Sequence, residues 1–171
     1  MYLVAVSDTH GDADILKQIA ARHRDAAAFF YAGDSELAAS DPLFQTYTAV
    51  MGNMDFDRDF PLTVTEQLPG LKVFMTHGHR YGVNFTLDEL LAAGRAEDAD
   101  LILFGHTHQL GVEKHGNTVV LNPGSISQPR GEFASLGGTY ATVAWTATSL
   151  AVTYRTRDGQ AVSKLVREFT R

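Results

Sequence analysis

The chain has 171 residues, 44% of them apolar, and carries a formal net charge of −6. A chain of this length buries roughly 70% of the surface its unfolded form exposes, so an ordinary core suffices, and the absence of cysteine excludes disulfides, thiolate metal sites and cysteine nucleophiles. Acidity without any run of Lys or Arg argues against broad nucleic-acid binding and against an anionic membrane surface. No basic stretch precedes the first apolar run and no run approaches membrane-spanning length, so a cytoplasmic protein with one domain over 1–171 is expected.

In chain order, YLVAVS (2–7) has the β-branched, apolar content of a buried strand. DADILKQIAARHRD (12–25) follows, with Ile15, Leu16, Ile19 and Ala20 at helical spacing, which predicts a crossover helix between parallel strands. AAAFFYA (26–32), TYTAVM (46–51), LKVFMT (71–76) and DLILF (100–104) are four more predicted strands. Between the last two, a helix over 86–97 places Leu87, Leu90, Leu91 and Gly94 on one face, with Thr86 as N-cap above Glu89 in a capping-box pattern. Beyond residue 108, short strands are predicted at 110–114, 118–122, 139–145 and 149–156, then a turn at Asp158-Gly159 and a last strand over 161–169. A βαβ-like first half and an antiparallel remainder predict an α/β fold of two packed sheets with helices outside.

Each of the first five predicted strands ends in a polar cluster: SDTHGD, AGDSE, GNMDFD, THGH and FGHTH. In open α/β sheets ligands bind at the carboxyl ends of strands, so the clusters converge on one place. Asp8 and His10 stand two residues apart where a strand runs out, and His106 and His108 repeat the device. Asp34 can bridge two cations through its separate oxygens, while Asn53 and His77 add an amide oxygen and a nitrogen. Together these seven side chains suffice for two ions if Asp34 is shared. Nitrogen and hard oxygen donors suit manganese, the first expectation, and equally nickel, zinc or iron. Taken singly, Asp8 and His10 fit a turn or helix cap, Asn53 fits a left-handed turn beside Gly52, and Asp34 fits a cap for a helix starting at Ser35. Structural accidents at five strand ends are harder to credit than one metal centre. Two cations about 3.5–4 Å apart make a bridging water nucleophilic at neutral pH.

The ordered series Asp8-x-His10, Gly33-Asp34, Gly52-Asn53, His77-Gly78-His79 and Gly105-His106-Thr107-His108 resembles the calcineurin-like metallophosphoesterases. VSDTHGD, GNMDFD, THGHRYGV, FGHTH and LNPGSISQPR are similar to that superfamily's small single-domain bacterial and archaeal phosphodiesterases. The resemblance implies a four-layer α/β/β/α sandwich of two mixed sheets. It also implies that Asp8, His10, Asp34 and His108 hold one metal, that Asp34, Asn53, His77 and His106 hold a second, and that a small phosphate ester is the substrate.

Many relatives carry a histidine after the asparagine to protonate the leaving group; Met54 stands there in this chain and its thioether donates no proton. That favours diesters or activated esters, and it makes His79 and Asp55 the alternative proton carriers, with Arg130 neutralising substrate charge. The same fold and a similar HGH and GHTH neighbourhood occur in the retromer subunit, a protein-binding scaffold. In a scaffold of that kind Phe56, Phe60, Tyr81 and Phe85 would form an apolar docking surface. Apolar loop side chains suit either a pocket or a homo-oligomer interface.

Overall fold

The computed structural model describes residues 1–171. The chain runs β1 (Tyr2–Val6), α1 (Ala13–Arg22), β2 (Ala28–Tyr31), β3 (Thr48–Ala49), β4 (Thr63–Leu68), β5 (Leu71–Thr76), α2 (Asp88–Ala96), β6 (Leu101–Leu103), β7 (Gly111–His115), β8 (Thr118–Asn122), β9 (Thr139–Trp145), β10 (Ser149–Thr156) and β11 (Arg167–Thr170). One sheet has the order β11-β10-β9-β1-β2-β3 and the other β4-β5-β6-β8-β7. Both are mixed: β1, β2 and β3 are parallel and β9 joins β1 antiparallel, while β5, β6 and β8 are parallel between antiparallel edges β4 and β7.

Strand pleating explains the layers, because successive side chains point to opposite faces. Leu3 and Ala5 of β1 meet Leu71, Val73, Met75, Leu101, Leu103, Val119 and Leu121 in a core between the sheets. Val4 and Val6 turn outward onto Ile15, Leu16 and Ile19 of α1. On the other side Phe74, Ile102 and Val120 turn outward onto Leu90 and Leu91 of α2. The result is the expected four-layer α/β/β/α sandwich. No helix is long and apolar enough to cross a membrane.

Asp12 caps α1 by accepting the Ile15 N–H (3.2 Å), and its other oxygen holds Arg157 (2.6 Å), tying the helix to the end of the β10 strand.

Four local expectations need correction. Helix α2 begins at Asp88, because the Thr86 hydroxyl accepts the Asp88 N–H (3.2 Å) in a tight turn outside the helix instead of forming a box with Glu89. Strand β4 was not anticipated; it is an edge strand whose alternating Thr63, Thr65 and Gln67 leave one face to solvent. The run at 46–51 contributes only the two residues of β3. The last strand starts at Arg167, because a short turn at Ser163–Leu165 first drops Leu165 into the core between the sheets.

Next to α1, Tyr140 O–H donates to His23 Nε2 (2.8 Å), His23 Nδ1–H donates to Tyr2 Oη (3.2 Å), and Tyr2 O–H donates to Asp25 (2.6 Å). Burial, reinforced by the Arg155 charge, lowers the His23 pKa, so neutral His23 stabilises the fold above its unfolded pKa of about 6.5, and that contribution is lost as pH falls through the lowered folded value. The advantage of the wild-type chain over His23→Gln, measured as a urea midpoint, should therefore shrink between about pH 8 and pH 5. Leu103→Ala, in the fully buried floor beneath the site, should cost about 2–5 kcal/mol at an unchanged denaturant slope.

Candidate metal centre

The polar clusters leave the strands as loops zipped together by backbone hydrogen bonds. Asp8 N–H donates to Gly33 O (3.0 Å), His10 N–H to Asp34 O (3.1 Å), and Gly11 N–H to Ser35 O (2.9 Å). Gly105 N–H donates to His77 O (3.0 Å), joining the loops that follow the neighbouring strands β5 and β6 of the second sheet. Seven non-glycine residues have positive φ, and six belong here: Asp8, His10, Asp34, Glu36, His106 and His108, Asp98 being the seventh. Left-handed backbone at such residues costs on the order of 1–3 kcal/mol each and persists only where the surroundings enforce it. Asp8 and His10 thus reach one place through left-handed kinks beyond the end of β1, and simple strand alternation does not account for their aim.

The side chains form two groups that meet at Asp34. One atom from each of Asp8, His10, Asp34 and His108 lies within 4.8 Å of the others. His108 Nδ1–H donates to Gln128 O (2.8 Å), which turns the Nε2 lone pair towards Asp8 Oδ1 and His10 Nε2, both at 3.2 Å. His77 Nδ1–H donates to Ala32 O (2.6 Å), which turns its Nε2 towards Asn53 Oδ1 (3.1 Å), Asp34 Oδ2 (3.3 Å) and Asp8 Oδ1 (4.0 Å). Asn53 Oδ1 also lies 2.8 Å from His106 Nδ1. All seven expected donors are brought together.

Asp8 tests whether a cation fits. Its carboxylate is fully buried, and neither oxygen accepts a hydrogen bond; the His108 contact satisfies distance but not direction. Burying an unpaired carboxylate costs several kcal/mol, so lone pairs converging on one point call for positive charge between them. The histidines register the same field. Burial alone would lower the His77 pKa, but the bond to Asp34 and the charges of Asp8 and Asp34 raise it; His108 rises against its own burial through Asp8. Asp34 is lowered despite burial, chiefly by the bond to His77. The residues present fit divalent ions held through nitrogen and hard oxygen.

Of the catalytic candidates, Arg130 lines a cavity of about 320 Å³ with His10, Asp34, Asn53, Met54 and His106. His79 packs beside His77 and His106, with ring centroids 5.4 and 6.2 Å apart, and its Nδ1 is buried without a partner. Burial and the neighbouring imidazoles lower its pKa. Asp55 is placed differently from the expectation. Its Oδ2 accepts Asp34 N–H (2.9 Å) and Gly52 N–H (2.7 Å), and its Oδ1 accepts Ser35 N–H, Ser35 O–H and Glu36 N–H, each at 2.8 Å. With five donors on two oxygens it is committed to holding the Asp34 loop. The expected apolar surface is also divided: Phe60 is buried against Phe44 and Tyr81 packs with the α2 cluster, leaving Phe56 and Phe85 exposed.

Two positioning residues carried no signal in the sequence. Glu36 Oε1 accepts from His10 Nδ1 (2.8 Å), fixing that ring's tautomer, and the Asn84 amide lies 3.0 Å from His106 Nε2. Two glycines permit close approaches at the site. A Cβ on Gly52 would sit 2.0 Å from Asp34 Oδ1, and one on Gly105 would sit 2.0 Å from Ser7 Oγ and 2.8 Å from Asp8 Oδ2.

Residues 1–148 match the calcineurin-like phosphoesterase superfamily domain, and the chain belongs to that family. The probable metallophosphoesterase YsnB of Bacillus subtilis (strain 168) is 37% identical over 131 residues, 76% of this chain and 78% of that one. A crystal structure of a conserved predicted phosphoesterase from Streptococcus pneumoniae TIGR4 superposes with a TM-score of 0.95 at 36% identity, covering 99% of this chain and 97% of that one. Vps29 from Entamoeba histolytica, solved in complex with Zn²⁺, shares the fold with a TM-score of 0.75 at 17% identity, covering 99% of each chain.

Glu36→Ala should weaken divalent-ion binding about 10- to 100-fold, because the His10 ring loses the acceptor that orients it; equilibrium dialysis against manganese measures this. Gly52→Ala should lower metal content further by displacing Asp34, which metal analysis of the purified variant would show.

Proposed function

We propose that residues 1–171 act as one cytoplasmic metallophosphodiesterase domain that hydrolyses a small phosphodiester with two divalent ions, manganese first and nickel, zinc or iron as alternatives. The observation that carries this reading is the buried Asp8 carboxylate, without hydrogen bonds and faced by imidazole lone pairs, inside a set of seven donors that share Asp34. In this assignment Asp8, His10, Asp34 and His108 hold one ion and Asp34, Asn53, His77 and His106 the other. Ions held there would supply a Lewis-acid grip on phosphate oxygens and a water made nucleophilic at neutral pH.

The chain's own groups define the rest of the chemistry. Arg130, exposed at the cavity rim, neutralises the non-bridging charge of the incoming ester. Neutral His79, its pKa held down by burial, is ready to accept a proton and poorly suited to donate one. Met54 at the cavity wall donates none, and Asp55 is occupied by the backbone of the Asp34 loop. No side chain in the cavity is thus an evident acid for a poor leaving group, which supports diesters and activated esters over alkyl monoesters.

Hydrolysis of paired chromogenic monoester and diester substrates, after chelation and after separate addition of each metal, tests the reading. Metal-restored diester cleavage is expected; two bound ions with no turnover would overturn the enzyme assignment and favour a scaffold of this fold. Asp34→Asn should abolish turnover and lower metal content by more than half, since it weakens both ions together. Met54→His should raise monoester relative to diester turnover, and an unaltered ratio would show that position 54 does not govern the choice.

A further inference from the structure

A second cavity of about 280 Å³ adjoins the candidate centre, lined by Val83, Phe85, Leu87 and Phe104 with Gln109 and Glu113 at its polar side. The two cavities share a wall. His106 lines the first and Thr107 the second, and Asn84 lines the second while its amide lies 3.0 Å from His106 Nε2. The wall is rigid, because Asn122 donates to both Gly105 O (2.8 Å) and Thr107 Oγ1 (3.1 Å). The floor is apolar, since Val83 and Phe104 are buried in the α2 cluster. Phe85, by contrast, is 94% exposed, the most exposed large apolar side chain in the protein, although it stands at the mouth of this cavity.

We infer that this second cavity receives the organic arm of the phosphodiester, and that the arm is a flat, uncharged aromatic ring stacked on Phe85. The inference rests on the phosphodiesterase reading and adds the class of substituent that the site selects. Size allows it, since an apolar cavity of about 150 Å³ already holds benzene. A phosphate held on the His106 side can direct its substituent over that wall into this cavity, where four apolar side chains stand among five polar ones. Charge narrows the class further: the Glu113 carboxylate, paired only with His115 (3.0 Å), repels a second anionic group and accepts N–H donors from a ring edge. Phe85, exposed in the empty protein, gains a stacking partner on binding, a contact worth about 1–3 kcal/mol per ring. Aryl esters, with the ring on the phosphate oxygen, and nucleotides, with the ring one sugar away, share this chemistry and differ in reach.

The test is calorimetric binding of methylphosphonate, phenylphosphonate and thymidine 5′-monophosphate to the manganese-loaded chain, with wild type, Phe85→Ala and Phe85→Tyr. At least one ring-bearing ligand should bind about fivefold or more tightly than methylphosphonate to wild type. The preference should collapse towards unity in Phe85→Ala and persist in Phe85→Tyr, and the preferred ligand distinguishes aryl from nucleotide reach. Equal affinities for all three ligands, or a ring preference untouched in Phe85→Ala, would overturn the inference while leaving the phosphodiesterase reading standing. No binding of any phosphonate or phosphate would overturn that reading and this inference together.

Discussion

The buried, unpaired carboxylate of Asp8 is the constraint on which the rest depends. A carboxylate sealed from water without hydrogen bonds is unfavourable by several kcal/mol, and a fold keeps it only if something positive completes the site. Around it the imidazoles of His77 and His108 spend their N–H groups on the carbonyls of Ala32 and Gln128, outside the cluster. Their lone pairs therefore face inward. A proton answers that demand in part, as the raised pKa values of both rings indicate, and a divalent cation answers it fully.

Holding such a cluster requires structure beyond the donors. Five hydrogen bonds to Asp55 fasten the Asp34 loop to the Gly52 turn, and Ser125 Oγ donates to Asp8 O (2.8 Å) from a loop more than a hundred residues away. Backbone strain is concentrated in the same loops, so the stability of two packed sheets is set against local conformations the loops would not adopt alone. The site sits where the sandwich closes: β5 and β6 from one sheet meet β1 and β2 from the other where their carboxyl ends release His77, the GHTH turn, Asp8 and Asp34.

The parts of this arrangement that were legible from sequence are those with short-range signals. Apolar runs buried on both faces, such as LVAV of β1 and LIL of β6, declare themselves by composition, and the polar clusters at strand ends contain the seven side chains that the fold brings together. Strand β4 was silent because an edge strand with Thr63, Thr65 and Gln67 towards solvent lacks that composition. Asp55, beside Met54 in GNMDFD, reads as a proton carrier in the sequence, whereas its direction is decided by amides contributed from residues 34–36 and Gly52. Glu36 and Asn84 had no signal, since their importance arises from contacts with His10 and His106 across 26 and 22 positions of sequence. Long-range hydrogen bonding decided each residue that sequence spacing misplaced or missed.

The most direct test of the account is a crystal structure grown with manganese, with anomalous scattering recorded at the metal's absorption edge. The account predicts two peaks per chain, one among Asp8, His10 and His108, one among Asn53, His77 and His106, with Asp34 between them. A single peak, or two peaks that do not share Asp34, would contradict it.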